Sequence, residues 1–329
     1  MGELAAVDSI EIDILVDNVT DSLSTVPTFV ETEFAGLTRR RGANWVLAGS
    51  CLCCAAHGLA CLVTVRKGAQ RRTVLFDSGP EDRTFEQNVS RLGVELGAVE
   101  AIVLSHGHWD HGGAMLRALQ LVRDRNRAAE IDYYAHPDMF RTRATKLGPD
   151  KMRPMEDVPS IAALTAHGAR VVNTREPQLI LDGLAYVSGE VPRVTTFERG
   201  LKGQHRRTLD GDGWELDELI MDERFVAVHV ANKGIVLLTA CSHAGVVNIV
   251  KHARSCFGDA PLYALVGGFH LTGSNEKIIP DTIAGLREAV PPVILAPGHC
   301  TGWRAVNAFA QAFGDEALAP LAVGKRLTF

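Results

Sequence analysis

Within a stretch of six residues, His106, His108, Asp110 and His111 bring four metal-ligand side chains together, directly after the apolar run Ala101-Ile102-Val103-Leu104. A lone histidine is usually a surface or core residue, but three imidazoles and a carboxylate buried side by side without an ion leave polar groups unsatisfied. The segment is therefore read as metal-binding. Alternate residues of an extended loop project to one side, so His106 and His108 can share one ion. Asp110 and His111 open the turn into a helix and can reach a second.

A pair of ions needs further ligands from elsewhere in the chain. His243, in Cys241-Ser242-His243-Ala244-Gly245, His270, in Gly267-Gly268-Phe269-His270-Leu271, and His299, in Pro297-Gly298-His299-Cys300-Thr301, each stand just after an apolar strand pattern. Strand ends are where an α/β scaffold fixes functional groups. His243 and His299 are expected to complete the site, and His270 either to join them or to support them from behind. Asp77, in Leu75-Phe76-Asp77-Ser78-Gly79, is expected to hydrogen-bond the metal-bearing loop rather than an ion. Cys241 and Glu190 are further candidates, Glu190 weighed against an ordinary loop carboxylate. His57 and His136 are candidates to line the pocket. His229 alternates within an apolar strand and is expected in the core; His167, His205 and His252 sit in polar helix or loop contexts.

These residues need a rigid frame, and the rest of the sequence mixes strands and helices throughout. Short β-branched runs at 10–16, 59–65, 73–76, 101–104, 131–134, 225–230, 235–238, 262–266 and 293–295 read as strands. Apolar periodicity predicts helices over 83–92, 113–125, 161–166, 245–256, 279–289 and 305–313. No repeat or low-complexity linker interrupts them, which favours layered sheets with helices outside, in one domain spanning 1–329. Two irregular stretches, near 137–160 and 192–224, are read as insertions covering the site.

The spacing H-x-H-x-D-H resembles the signature of the metallo-β-lactamase superfamily. Joined to it are Leu15-Val16-Asp17-Asn18, His57-Gly58-Leu59, the Asp77 segment, and the three segments around His243, His270 and His299. Together they resemble the group related to 7,8-dihydropterin-6-methyl-4-(β-D-ribofuranosyl)aminobenzene 5'-phosphate synthase, over most of the chain. The resemblance implies an α/β fold, a four-layer αββα sandwich with the metal site at one edge. One departure stands out. Superfamily hydrolases such as glyoxalase II and the lactonases carry a Pro-Gly-His-Thr-like motif midway and a later bridging Asp, where this chain has Ser188-Gly189-Glu190-Val191-Pro192 and Cys241. An asymmetric metal pair, or a single tight ion, is the expectation that follows.

Hydrophobic residues at 46% and charged ones at 22% match an ordinary globular protein. A net charge of -5, with basic residues only in short runs such as Arg39-Arg40-Arg41, argues against nucleic acid as a partner. Glu3, Asp8, Glu11 and Asp13 precede the first basic residue, Arg39, unlike a secretory signal, and no apolar run approaches the ~20 residues of a bilayer span. A cytoplasmic protein without membrane contacts is expected. Cys51, Cys53, Cys54 and Cys61 fit no standard zinc or iron–sulfur spacing and are read as reduced packing residues.

The expected reaction is hydrolysis of a small-molecule ester, lactone or phosphate-type substrate by water activated at one or two divalent ions, with Asp110 orienting the water and taking its proton. Zinc is the default for histidine-rich ligation; iron and manganese also suit imidazole and carboxylate. The resemblance implies a rival, a dihydropterin-linked transfer, for which Trp109, Phe269 and Trp303 would offer flat faces. Cys241 and Cys300 point to another, iron-dependent oxidation of a sulfur substrate. A non-catalytic metal-binding module would show broken ligands, and these are intact.

Overall fold

The computed structural model describes residues 3–42, 44–149, 151–289 and 294–329. Asp150, inside the first irregular stretch, and Val293, the start of one expected strand, lie outside the described residues.

Side-chain alternation decides the layering. In Ala60–Lys67, Cys61, Val63 and Val65 face one apolar cluster while Ala60 and Leu62 face another. In Gly234–Thr239, Val236 and Leu238 join that first cluster, and Ile235 and Leu237 point the opposite way. Strands apolar on both faces must be covered on both. Two sheets therefore lie face to face around a central cluster, and helices cover each outer face. The first sheet runs in the order Val30–Glu31, Arg326–Thr328, Ser9–Val16, Ala60–Lys67, Gln70–Phe76, Val99–Val103, Ile131–Ala135, Ala169–Asn173. The second runs Gln178–Ile180, Ala185–Val187, Val226–Val230, Gly234–Thr239, Leu262–Gly268, Ile294–Gly298. Helices Asp82–Leu92 and Met115–Asn126 pack outside the first; Val246–Phe257, Ile279–Ala289 and Trp303–Phe313 pack outside the second. This is the αββα sandwich that the resemblance implies. Cys61 joins the central cluster and Cys53 an outer one, as packing residues do, and Cys51 is buried too, but Cys54 is exposed and does not pack in the core.

The two irregular stretches pair with each other. Arg143–Gly148, Lys151–Pro154, Gln204–Arg207 and Trp214–Leu216 form a separate four-stranded antiparallel sheet. Among the described residues no helix is long and apolar enough to cross a membrane.

Parallel pairing positions the site. Gln70–Phe76, Val99–Val103 and Ile131–Ala135 run parallel in the first sheet, as do Gly234–Thr239, Leu262–Gly268 and Ile294–Gly298 in the second. The carboxyl ends within each set gather along one edge, where such sheets open a crevice.

Candidate metal centre

Those carboxyl ends converge on one set of imidazoles. Val99–Val103 runs through Leu104 and Ser105 into His106, and His108 caps the short helix Trp109–Gly112, which carries Asp110 and His111. From the second sheet, His243 follows Gly234–Thr239, His270 follows Leu262–Gly268, and His299 follows Ile294–Gly298. The His106 and His108 rings lie 4.8 and 4.9 Å from that of His243, and the His111 and His299 rings are 4.9 Å apart. All five are buried.

Their donor atoms gather in groups. His106, His108 and His243 have ligand atoms within 4.8 Å of one another, and Asp110 and His299 group likewise with His57. Asp110 Oδ2 lies 3.4 Å from His299 Nε2 and 3.7 Å from His111 Nε2. Cys241 stands between: its sulfur groups with His106 and His111, with His243 and His270, and with His299 and Cys300.

Hydrogen bonding tests whether ions fit. His106 Nδ1 meets Ser105 Oγ at 2.9 Å, His108 Nε2 meets Gln204 at 3.2 Å, His111 Nδ1 meets Asp77 Oδ2 at 2.8 Å, and His299 Nδ1 meets Asn18 Oδ1 at 2.9 Å. The opposite ring nitrogens are free for another role. His106 Nε2 and His108 Nδ1 face each other at 3.0 Å, both nitrogens of His243 meet no partner, and His111 Nε2 and His299 Nε2 make no hydrogen bond although Asp110 Oδ2 lies 3.7 and 3.4 Å away. Each buried polar atom left so costs about 1–3 kcal/mol, which a shared cation removes. One nitrogen held and the other free is how metal-ligating histidines are set. The residues present fit a metal centre.

Supporting groups hold the candidate ligands in place. Asp77, at φ 60°, accepts from the Ser105 N–H and hydroxyl, both at 2.7 Å, besides meeting His111. Asp17 accepts the His299 N–H at 2.8 Å, Asn18 joins His299 to His57, and the buried Glu223 carboxylate accepts the N–H groups of His243 and Ala244. Asp77, Ser242, His270 and His299 are non-glycine residues with positive φ. Such backbone costs about 1–3 kcal/mol per residue and persists only where surrounding contacts over-determine it. Asp77→Asn is expected to weaken zinc binding by about 10–100-fold without unfolding the protein. A titration against a competing chromophoric chelator reads this; unchanged affinity would remove Asp77 from the support.

The small outer sheet reaches the same loop. Arg143, 2% exposed, donates to Gly107 O at 2.9 Å and pairs with Asp222 at 2.6 Å and Asp217 at 3.0 Å; Asp222 in turn accepts the Gly107 N–H at 2.9 Å. Both backbone groups between the two histidines are thus held by charged side chains. A Cβ at Gly107 would lie 2.1 Å from Arg143 Nη1 and 2.3 Å from Met139 O. Gly107→Ala is therefore expected to cost about 1–3 kcal/mol of stability and to lower metal content. Thermal unfolding with and without zinc checks it, and a wild-type midpoint in both would contradict the packing described.

Charge divides the site in two. Burial, reinforced by Arg143, pushes His108 down to about 3, and burial with neighbouring imidazoles holds His106 and His243 well below the ordinary range. These rings are neutral, the ligating form. Burial also opposes charge on His111, but Asp110 and Asp77 outweigh it and raise His111 to about 9. For Asp110 burial opposes ionisation, yet His111 and His299 hold the carboxyl well below its usual range. The Asp110 side is thus built to hold positive charge.

The structure brings together His106, His108, Asp110, His111, His243, His299 and Cys241, with His270 adjoining at 4.3 Å from the His243 ring. It does not bring Glu190. That carboxylate is 3.1 Å from His136 Nε2 and 2.7 Å from Arg175, outside every ligand group among the described residues. Phe269 offers no free face either: it is 2% exposed and its ring lies 5.9 Å from Phe309. Trp109 lies 5.9 Å from the His57 ring, and Trp303 is 74% exposed. His229, expected in the core, is half-buried and lines an outer cavity. Sequence reasoning missed Asp222, Glu223, Arg143 and Gln204, and gave Asp17 and Asn18 no role. The charged triplet Asp222-Glu223-Arg224 running into an apolar strand was a usable signal. Arg143 and Gln204, in stretches without periodicity, gave none.

Comparison with known proteins follows the same lines. Residues 59–201 match the model of the metallo-β-lactamase superfamily. Over 269 residues the chain is 29% identical to 7,8-dihydropterin-6-methyl-4-(β-D-ribofuranosyl)-aminobenzene-5'-phosphate synthase of Methanocaldococcus jannaschii, covering 79% of this chain and 86% of that one. It is 27% identical over 257 residues to an uncharacterized protein of the same organism, covering 78% and 88%. A solved structure, a metal-dependent hydrolase of the β-lactamase superfamily, superimposes with a TM-score of 0.69 at 20% identity, covering 97% of this chain and 98% of the other.

Proposed function

We propose that this chain, of which residues 59–201 match the metallo-β-lactamase superfamily model, is a metal-dependent hydrolase of a small-molecule ester, lactone or phosphate-type substrate. The observation that carries this reading is the set of inward-facing imidazole nitrogens of His111, His243 and His299 that have no hydrogen-bond partner. His106, His108 and His243 would hold one ion, and Asp110, His111 and His299 a second, with Cys241 between them. Zinc suits this set best, with iron and manganese as alternatives. A divalent ion supplies Lewis acidity that polarises a carbonyl or phosphoryl group and acidifies water.

The chain's own base is Asp110. It is 6% exposed, keeps its negative charge, and faces His57, His111 and His299. From there it orients the attacking water and takes its proton. His57, more than half exposed and 3.4 Å from Asp110, stands with Trp109 on the solvent side, where a substrate enters.

A transfer reaction is the second reading, favoured by the 29% identity to a synthase. One panel separates the two. Protein purified without added metal is assayed with ester, lactone, thioester, phosphodiester and dihydropterin substrates, before and after loading with zinc, manganese or iron. Hydrolysis that appears on loading and disappears with chelator supports the first reading. Turnover only when a dihydropterin and a phosphorylated ribosyl-aminobenzene are both present supports the second. Turnover indifferent to chelation contradicts both.

A further inference from the structure

Cys241 and Cys300 lie on either side of the strand Leu262–Gly268, at the ends of its two parallel neighbours. Their sulfurs are 3.2 Å apart and Cys300 Sγ is 3.3 Å from Cys241 O, with both residues buried. What lets them meet is the end of the middle strand. A Cβ at Gly268 would fall 2.8 Å from Cys300 Sγ and 2.3 Å from Ala240 O, and one at Gly267 would fall 1.6 Å from Thr239 O. Gly268 thus clears the space beside Cys300, and Gly267 lets the middle strand pack against the strand that leads to Cys241. The proposed hydrolysis uses Cys241 as a ligand and leaves the contact itself without a role.

We propose that Cys241 and Cys300 form a redox-sensitive dithiol that closes to a disulfide and thereby loosens the metal centre. The chemistry needs a peroxide as two-electron oxidant. One thiol gives up its proton and its thiolate attacks the peroxide, becoming a sulfenic acid and releasing hydroxide, which takes up that proton as one water; the other thiol displaces the hydroxyl, releasing a second water as the S–S bond forms. Two thiol hydrogens and two electrons leave the protein, and hydrogen peroxide becomes two waters. Covalent S–S distance is about 2.05 Å, so closure asks the sulfurs to approach by roughly 1 Å. Since the thiolate is the metal ligand, closure withdraws Cys241 from the groups it shares with His106, His111, His243, His270 and His299. Reduction with a dithiol restores it.

The inference rests on the metal reading above, and the experiment separates the two. Zinc affinity of the full chain is measured reduced, after hydrogen peroxide, and after re-reduction, alongside a tryptic map. Cleavage at Lys233, Lys251, Arg287 and Arg304 isolates Cys241 in 234–251 and Cys300 in 288–304. The expected result is a 234–251 to 288–304 cross-link, loss of two of the seven free thiols, and a fall in zinc affinity of about tenfold or more, reversed by reduction. Cys300→Ser should abolish the peroxide effect on zinc. No cross-link under conditions that oxidise the exposed Cys54, or a cross-link with unchanged zinc affinity, overturns the proposal. So does a peroxide effect that survives in Cys300→Ser; should that variant not fold, the wild-type map and titration decide. Reduced protein that takes up no zinc refutes the metal centre itself, whereas zinc uptake indifferent to peroxide refutes only the dithiol.

Discussion

Asp110→Asn is expected to fold like the wild-type protein and to lose at least about 100-fold in turnover, the usual scale of a general acid–base role. The amide keeps the shape of the carboxylate within a pocket where Asp110 is 6% exposed. It removes the charge that faces His57, His111 and His299 at 3.4 to 3.7 Å, and with it the basicity that a water would use. Unfolding, metal content and turnover must come from the same preparation. Turnover within about threefold of wild type in a metal-loaded variant would make Asp110 a structural residue only.

The second large effect concerns the later histidines. His243→Ala and His299→Ala are each expected to lose an ion, because each removes a buried ring nitrogen that makes no hydrogen bond. The His299 ring is also held from the other side: Asp17 accepts its backbone N–H and Asn18 meets its Nδ1. His270 has a buried Nδ1 without a partner as well, but its ring lies 4.3 Å from that of His243 and it groups with Cys241 and His243 rather than with the His106 loop. His270→Ala is expected to weaken metal by about 10–100-fold and still load at saturating metal. A titration of the three variants beside the wild type reads the difference. Outright loss of an ion in His270→Ala, with normal binding in His299→Ala, would move the closing ligand to the 267–271 segment.

Much of this candidate site is legible in the sequence because its candidate ligands are marked by where apolar runs stop. His106 ends one such run, and His243, His270 and His299 each follow another. The layering was less legible for a physical reason. In Ala60–Lys67 nearly every residue from Ala60 to Val65 is apolar or buried, since both faces are covered, so the sequence alone does not reveal that Cys61, Val63 and Val65 face the central layer. The outer sheet was invisible. Its strands are short, rich in Arg, Lys and Gln, and stabilised by pairing between segments about sixty residues apart, such as Thr145 with Gln204. Arg143 belongs to that sheet, so its grip on Gly107 could not be seen either. Glu190 stayed open in the sequence because a loop carboxylate carries no period; its bonds run to Arg175 and His136, as those of an ordinary loop carboxylate do.

Metal content tests the central claim most directly. Protein isolated without added metal, analysed by elemental methods and then equilibrated with micromolar zinc, manganese or iron, should hold about one to two transition-metal ions per chain, because the buried imidazoles of His106, His108, His111, His243 and His299 are otherwise left facing one another. Well under about half an ion per chain as isolated, with no uptake from any of the three metals, would contradict the account.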